Sequence, residues 1–140
     1  MKAFVVDASV AAKWFVEEEY SPTALSILGG AAQLHAPDFM LLEMDSIITK
    51  WTRRGAIGLD EGSDIRNALR QYPIQFHSFP SFLDSAFAIA SQTGQSVYDS
   101  LYVALAALLK RKLATADRRL YDGLKNSPFQ KSVVWIGDIV

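Results

Sequence analysis

Short apolar runs alternate with longer amphipathic segments along the chain, and this alternation predicts strands and helices in turn. Ala3–Val6 is a four-residue apolar run typical of a buried strand. Between residues 40 and 51 the apolar positions recur every three to four residues, which indicates an amphipathic helix. The predicted strands are residues 3–6, 33–36, 74–79, 113–115 and 133–136. The predicted helices are residues 8–16, 21–29, 37–54, 59–72, 81–92, 96–111 and 118–124.

Strands separated by helices favour right-handed crossovers and a mostly parallel sheet. We therefore expect an α/β fold, a three-layer α/β/α sandwich whose central sheet is flanked by helices. The 140 residues contain no repeat, low-complexity tract or interdomain linker, so we expect residues 1–140 to form one domain.

Composition limits the kinds of functional site that the chain could form. Half of the residues are hydrophobic and 21% are charged, which is typical of a globular domain. The absence of Cys excludes disulfides, a cysteine nucleophile and a thiolate zinc site, and 2 His make a histidine-rich metal site improbable. A bound metal would therefore have oxygen ligands, which suit Mg²⁺, Mn²⁺ or Ca²⁺.

No membrane or export segment is expected from the sequence. The longest uninterrupted apolar run covers residues 103–109, far short of the ~20 residues of a membrane span. The apolar stretch near the amino end is interrupted by Asp7, so it does not form a signal-peptide core. We expect a soluble cytoplasmic protein.

Two acidic residues lie just after predicted strands. Asp7 directly follows residues 3–6, Asp117 lies two residues after residues 113–115, and a helix follows each of them. Each acid fits the role of a helix N-cap. Each also lies at the carboxyl end of a parallel strand, where ligands bind in open α/β sheets, and two such strands would bring the acids close together.

Two further acids lie within helices away from the fully solvated faces. Glu43 lies about 80° from the centre of its helix's apolar stripe, where it could reach along the sheet edge, extend into solvent or pair with Lys50. Asp99 has Tyr102, Val103 and Ala106 as its neighbours one and two turns on, so it faces the core side of an apolar helix. The segment from Ser96 to Asp99 also matches a capping box.

Together, these four carboxylates could converge at one end of the sheet. A like-charged pair 4 Å apart costs about 4 kcal/mol at an effective dielectric constant near 20. Protonation or a hard divalent cation would relieve that repulsion, and a hydrated Mg²⁺ among carboxylates suits phosphodiester hydrolysis. Ser9 and Thr115 could fix a carboxylate or a water beside the metal, or could make ordinary turn hydrogen bonds.

Four segments resemble the PIN-domain family, specifically its VapC-type toxin ribonucleases. They are residues 5–10 (VVDASV, followed by KWF at 13–15), 36–43 (APDFMLLE), 97–106 (VYDSLYVALA) and 113–120 (LATADRRL). The resemblance implies a Mg²⁺- or Mn²⁺-dependent endoribonuclease whose acidic quartet, which would bind the metal and carry catalysis, is Asp7, Glu43, Asp99 and Asp117. It also implies a homodimer and a cognate antitoxin whose tail occupies the groove.

Basic clusters could hold an RNA backbone despite the net charge of -1. The candidate RNA-binding residues are Lys13, Lys50, Arg118 and Arg119. Tyr98 and Tyr102 could stack on bases, although core packing is favoured for Tyr102. Asp45 is an extra carboxylate that lies about 100° round the helix, and it is expected to face away from the site. His77 is interpreted as structural.

Two other functions fit parts of the sequence. A phospho-acceptor signalling domain also has an acidic Mg²⁺ pocket, but it needs an acceptor Asp after a central strand and a Lys after a late strand. Here residues 74–79 end in Ser-Phe and are followed by Pro80, and residues 133–136 are followed by Gly137. The alternative that stays open is a catalytically inactive PIN-like module that binds protein or RNA.

Overall fold

A central five-stranded sheet organises the computed structural model, which describes residues 2–139. The strands are β1 (Ala3–Val6), β2 (Gln33–Pro37), β3 (Ile74–His77), β4 (Lys112–Thr115) and β5 (Val133–Trp135). They lie in the order β3-β2-β1-β4-β5, and every neighbouring pair is parallel. Helices flank the sheet in a three-layer α/β/α sandwich, so the predicted fold class is confirmed.

Within residues 2–139, seven α-helices connect and cover the strands. They are α1 (Ala8–Ala11), α2 (Ser21–Ser26), α3 (Phe39–Arg53), α4 (Leu59–Gln71), α5 (Leu83–Thr93), α6 (Val97–Leu109) and α7 (Arg118–Gly123). Helix α6 packs on β1, β2 and β4, and α5 packs on α6. The composition of α6 explains this position, because its residues 100–106 are all buried. None of the helices within residues 2–139 has the length and apolar character needed to cross a bilayer.

The central strand is the most buried. Val5 and Val6 are fully enclosed, and Val5 pairs in register with His35 of β2 and Leu113 of β4. Since β1 has neighbours on both sides and helices on both faces, its apolar run is what a central parallel strand requires.

The predicted elements are all present, and their ends differ for local reasons. The helix predicted over residues 8–16 becomes a 3₁₀ turn after Ala11, and α2 passes into a π turn that ends at Gly30 (φ 107°). The strand predicted to reach residue 79 stops at His77, because Phe79–Phe82 forms a 3₁₀ turn with Pro80 in its first positions. Helix α6 stops at Leu109 because Lys110 is left-handed (φ 55°).

Ser100 carries the one buried side-chain polar atom within residues 2–139 that lacks a hydrogen-bond partner. A buried hydroxyl without a partner loses its hydration and gains nothing in return. We expect Ser100→Ala to leave the free energy of unfolding unchanged or to raise it by up to about 1 kcal/mol. Urea unfolding of the two proteins measures this, and a loss of 1 kcal/mol or more in the variant would contradict it.

Candidate metal centre

Two of the four predicted acids lie at the point where the chain changes direction across the sheet. The chain runs from β1 outward through β2 to β3, then returns to the other side of β1 as β4. Ligands of open α/β sheets bind at the carboxyl ends of the strands that flank such a switch point. Asp7 follows β1 and Asp117 follows β4, so both acids lie at that position.

Asp7 is buried and held by three donors. Its Oδ1 accepts hydrogen bonds from Ser9 Oγ (2.5 Å) and from the backbone N–H of Val10 (3.2 Å). Its Oδ2 accepts from Thr115 Oγ1 (2.5 Å). Burial nevertheless raises the pKa of Asp7 from its usual 3.8 to about 6, because the hydrogen bonds offset only part of the lost hydration and the negative charge of Asp117 adds to the shift. Asp7 therefore caps α1, as predicted, but keeping its buried carboxylate ionised costs free energy.

Thr115 connects the two switch-point acids. Its Oγ1 donates to Asp7 and accepts from the backbone N–H of Asp117 (3.1 Å), and Ser9 Oγ lies 3.5 Å away. Ser9 Oγ also accepts from the N–H of Ala116 (2.9 Å). The two hydroxyls predicted to support the carboxylates therefore fix Asp7 against the end of β4.

Thr115→Val tests that connection. Valine has a similar shape but cannot hydrogen-bond, so the Asp117 N–H and Asp7 Oδ2 both lose a partner. We expect a loss of about 1–3 kcal/mol in the free energy of unfolding. Chemical denaturation measures it, and Thr115→Ser, which keeps the hydroxyl and loses one methyl group, is the matched comparison. A valine variant as stable as the wild type would contradict this role.

Asp117 also caps a helix. Its Oδ1 accepts from the N–H groups of Arg119 (3.0 Å) and Leu120 (3.3 Å) at the start of α7. Its charge nevertheless acts on the other three acids, since it contributes to raising the pKa of Asp7, Glu43 and Asp99. Asp117 is thus the acid of the set whose charge acts on all three others.

Glu43 reaches the site from α3 and is oriented by a buried tyrosine. The hydroxyl of Tyr102, which is 1% exposed, donates a short hydrogen bond to Glu43 Oε1. Burial raises the pKa of Glu43, and the charges of Asp99 and Asp117 add to the shift while the tyrosine opposes it. The sequence predicted the core position of Tyr102 but not this role. Tyr102 lies one helical turn after Asp99 and so on the same face of α6, but this spacing does not identify Glu43 as its partner.

Asp99 lies in the first turn of α6. Its backbone N–H donates to Ser96 Oγ (3.0 Å), which is one half of the predicted capping box. The pKa of Asp99 is raised, first by burial and then by the charge of Asp117, against the opposing effects of Ser96 and Arg119. The capping bond thus uses the backbone of Asp99, while its carboxylate interacts with Ser96 and, through its charge, with Glu43 and Asp117.

The four carboxylates act on one another through their charges. Within residues 2–139 there is no group of three acidic or histidine side chains arranged so that they could hold one metal ion. Mg²⁺ commonly needs only one or two carboxylates and keeps several waters. Asp7, Glu43 and Asp99, whose pKa values are raised by burial and by neighbouring negative charge, fit such a cation in both ligand chemistry and charge.

The predicted RNA-binding cations divide into two pairs. Lys50 is exposed and lines a groove with Glu43 and Asp99, and Arg119 is close enough to lower the pKa of Asp99. The other two have protein partners: Lys13 lies 3.9 Å from Glu18, and the guanidinium of Arg118 lies 3.8 Å from the ring centroid of Trp135. The assignment of all four to RNA stays a prediction.

Two residues that were predicted to lie outside the site, Asp45 and His77, have partners elsewhere in the fold. Asp45 accepts two hydrogen bonds from Arg66 of α4, at 2.6 and 2.9 Å, which lower its pKa. It is therefore turned toward α4, as expected. His77 Nε2 lies 3.0 Å from His35 Nδ1 on the neighbouring strand, which agrees with a structural interpretation.

Comparison with known proteins places this geometry in a family. The family model of the PIN domain matches residues 4–123. Ribonuclease VapC3 of Pyrobaculum aerophilum is 39% identical over 118 residues, covering 83% of this chain and 90% of that protein. Ribonuclease VapC9 of Mycobacterium tuberculosis is 28% identical over 118 residues, covering 84% and 88%.

Solved structures agree on the fold. The crystal structure of PAE2754 from Pyrobaculum aerophilum superposes with a TM-score of 0.73 at 20% identity, covering 97% of this chain and 90% of that one. A toxin–antitoxin complex from Klebsiella pneumoniae contains a chain with a TM-score of 0.68 at 14% identity, covering 97% and 99%. With its fold, the order of its four motifs and its similarity to VapC3, this chain belongs to the PIN-domain family, among the VapC-type proteins.

Proposed function

We propose that this protein is a Mg²⁺- or Mn²⁺-dependent endoribonuclease and the toxin of a toxin–antitoxin pair. The observation that carries the proposal is the pair of acids Asp7 and Asp117, joined through Thr115 at the switch point between β1 and β4, with the charge of Asp117 acting on Glu43 and Asp99 as well. The named activity of its relatives, ribonuclease, supports the choice of RNA as substrate.

The four acids would have different roles, which follow from how each side chain is held. Asp7 and Asp117, fixed through Thr115, would hold the cation at the strand ends, and Glu43 and Asp99 would approach it from α3 and α6. A bound divalent cation would supply a more acidic water and would neutralise charge on the phosphate. In hydrolysis a water oxygen bonds to phosphorus while the bond from phosphorus to the leaving ribose oxygen breaks, and that oxygen takes up a proton from solvent water. Glu43, oriented by Tyr102, would be placed to accept the proton of the attacking water.

The partners follow from the same family. Solved relatives include a toxin–antitoxin complex from Klebsiella pneumoniae and VapBC2 from Rickettsia felis bound to a DNA fragment from its promoter. We propose that this protein likewise binds a cognate antitoxin, that it forms a homodimer and that it acts in the cytoplasm.

Metal-dependent cleavage and metal-dependent stability test the function together. Purified protein would be incubated with a pool of single-stranded RNAs in millimolar Mn²⁺ or in EDTA, and thermal unfolding followed under both conditions. We expect cleavage only with the metal. We also expect a rise in unfolding temperature, since a ligand at 100 times its dissociation constant stabilises by about 2.7 kcal/mol.

Asp45→Asn is the matched control, because it removes a carboxylate of α3 that is paired with Arg66. It should keep both the cleavage and the thermal shift. A wild type with neither would favour the inactive binding module.

A further inference from the structure

A groove of about 790 Å³ leads from the carboxylates along α3. Its inner end is lined by Glu43 and Asp99, and its outer end by Lys50 and Arg53. Negative and positive groups therefore follow one another along a single open channel. A cationic peptide would meet repulsion at the outer end, and an acidic peptide at the inner end. A nucleic-acid strand that shares a cation with the carboxylates satisfies both ends.

The two basic side chains are placed to track a phosphate backbone. They follow Glu43 by seven and ten residues on one helix, which places them about 10 and 15 Å along its axis from Glu43. Both are exposed, and neither makes an ion pair with another of the described residues. A strand bound at the carboxylates could therefore reach both cations without first breaking a salt bridge.

An exposed aromatic ring lies beside the carboxylates. Tyr98 precedes Asp99 in the first turn of α6 and is 58% exposed. Phe39 stacks on its ring with centroids 5.4 Å apart and planes 16° apart, and Phe79 packs edge-on against Phe39 (6.2 Å). The ring is thus supported by a second aromatic layer, while more than half of its surface stays open to solvent. A ring held in this way is already immobilised for stacking.

Resting on the proposed ribonuclease function, we propose that Tyr98 stacks on the nucleobase next to the scissile phosphate of single-stranded RNA, while Lys50 and Arg53 hold the phosphates along α3. Stacking on an aromatic side chain requires an unpaired base, so the substrate is single-stranded where it is cut. Tyr98 then selects and positions the substrate beside the metal centre, and it takes no part in proton transfer.

Cleavage of a random 20-nucleotide RNA pool in Mn²⁺, with the products sequenced, tests this role. We expect Tyr98→Ala to raise KM about tenfold, the size of one lost base stack, and to erase the base preference at one position beside the cut. Tyr98→Phe should stay within twofold of the wild type and keep that preference. Phe87→Ala, which truncates an equally exposed ring (69%) on α5, is the control and should change neither. Arg53→Gln should raise KM at every sequence and weaken the salt dependence of binding.

Each outcome of these measurements supports or overturns the stacking role of Tyr98. An active wild type whose Tyr98→Ala variant keeps KM and base preference overturns the stacking role and leaves the ribonuclease function standing. A variant that loses only self-association or antitoxin binding assigns the ring to a protein interface and also overturns it. Tyr98→Leu, which keeps an apolar contact with Phe39, replaces the alanine variant if that one fails to fold. A wild type that cleaves nothing removes the ribonuclease function and this proposal with it.

Discussion

Asp99→Asn should lower RNA cleavage at least about 100-fold and leave the metal-free protein at least as stable as the wild type. Loss of a group that merely supports a metal ligand typically costs 10–100-fold, so removing a charge from the ligand set itself should reach the upper end or exceed it. Asparagine has the same shape, and residue 99 takes part in the capping bond to Ser96 Oγ only through its backbone N–H. The variant therefore retains its helix start while losing a charge that Asp117 and burial both oppose.

Asp84→Asn is the matched control for this change. Asp84 also lies in the first turn of a helix, α5, but it is exposed and outside the carboxylate set. Its variant should cleave at the wild-type rate in the same Mn²⁺ assay, and its thermal shift on adding Mn²⁺ should equal that of the wild type. If Asp99→Asn cleaved RNA as fast as Asp84→Asn, the metal centre would be wrong and Asp99 would be a capping residue alone.

The acids at the strand ends could be predicted because they depend on local pattern. An apolar run followed by an acid and a helix identifies Asp7 and Asp117 one at a time. Their proximity depends on β4 returning beside β1, and no local pattern encodes which strands become neighbours. The prediction therefore gave the residues and the edge of the sheet, while the order of the strands explains why they meet.

Side-chain partners from distant parts of the chain were the features that sequence reasoning missed. Arg118 is a candidate RNA-binding residue, and nothing in the sequence indicates that its guanidinium lies over Trp135. The bond from Tyr102 to Glu43 joins residues 59 apart. The first contact depends on how α7 packs beside β5 and the second on how α6 packs beside α3, and periodicity along one helix does not identify a partner on another element. The helix ends shifted for a similar reason, since 3₁₀ turns and left-handed residues are fixed by contacts as well as by composition.

The metal-free protein should lose stability as the pH rises from 5 to 8, and Asp7→Asn should remove the part of that loss that Asp7 contributes. The pKa of Asp7 is raised from 3.8 to about 6 in the folded state, so the folded protein holds a proton that the unfolded chain releases. The stability that this proton confers is complete below pH 3.8 and is lost as the pH rises through 6. The full shift corresponds to about 3 kcal/mol, of which about 1 kcal/mol falls between pH 5 and 8. Glu43 and Asp99, whose pKa values are also raised, act in the same direction.

Urea unfolding in EDTA at several pH values between 5 and 8 measures this slope, and the difference between wild type and Asp7→Asn isolates the contribution of Asp7. The subtraction matters because burial lowers the pKa of His35, which by itself makes stability rise with pH in this range. Asp45→Asn provides the control: Arg66 lowers the pKa of Asp45 below 3.8, so this group titrates outside the range and its variant should keep the wild-type slope. Millimolar Mn²⁺ should restore wild-type stability at pH 8 but have less effect on Asp7→Asn, because the cation takes over the role of the proton only where the carboxylate is present. Parallel profiles for wild type and Asp7→Asn would mean that the buried carboxylate carries no electrostatic cost, and the physical reason for a cation at this edge of the sheet would be gone.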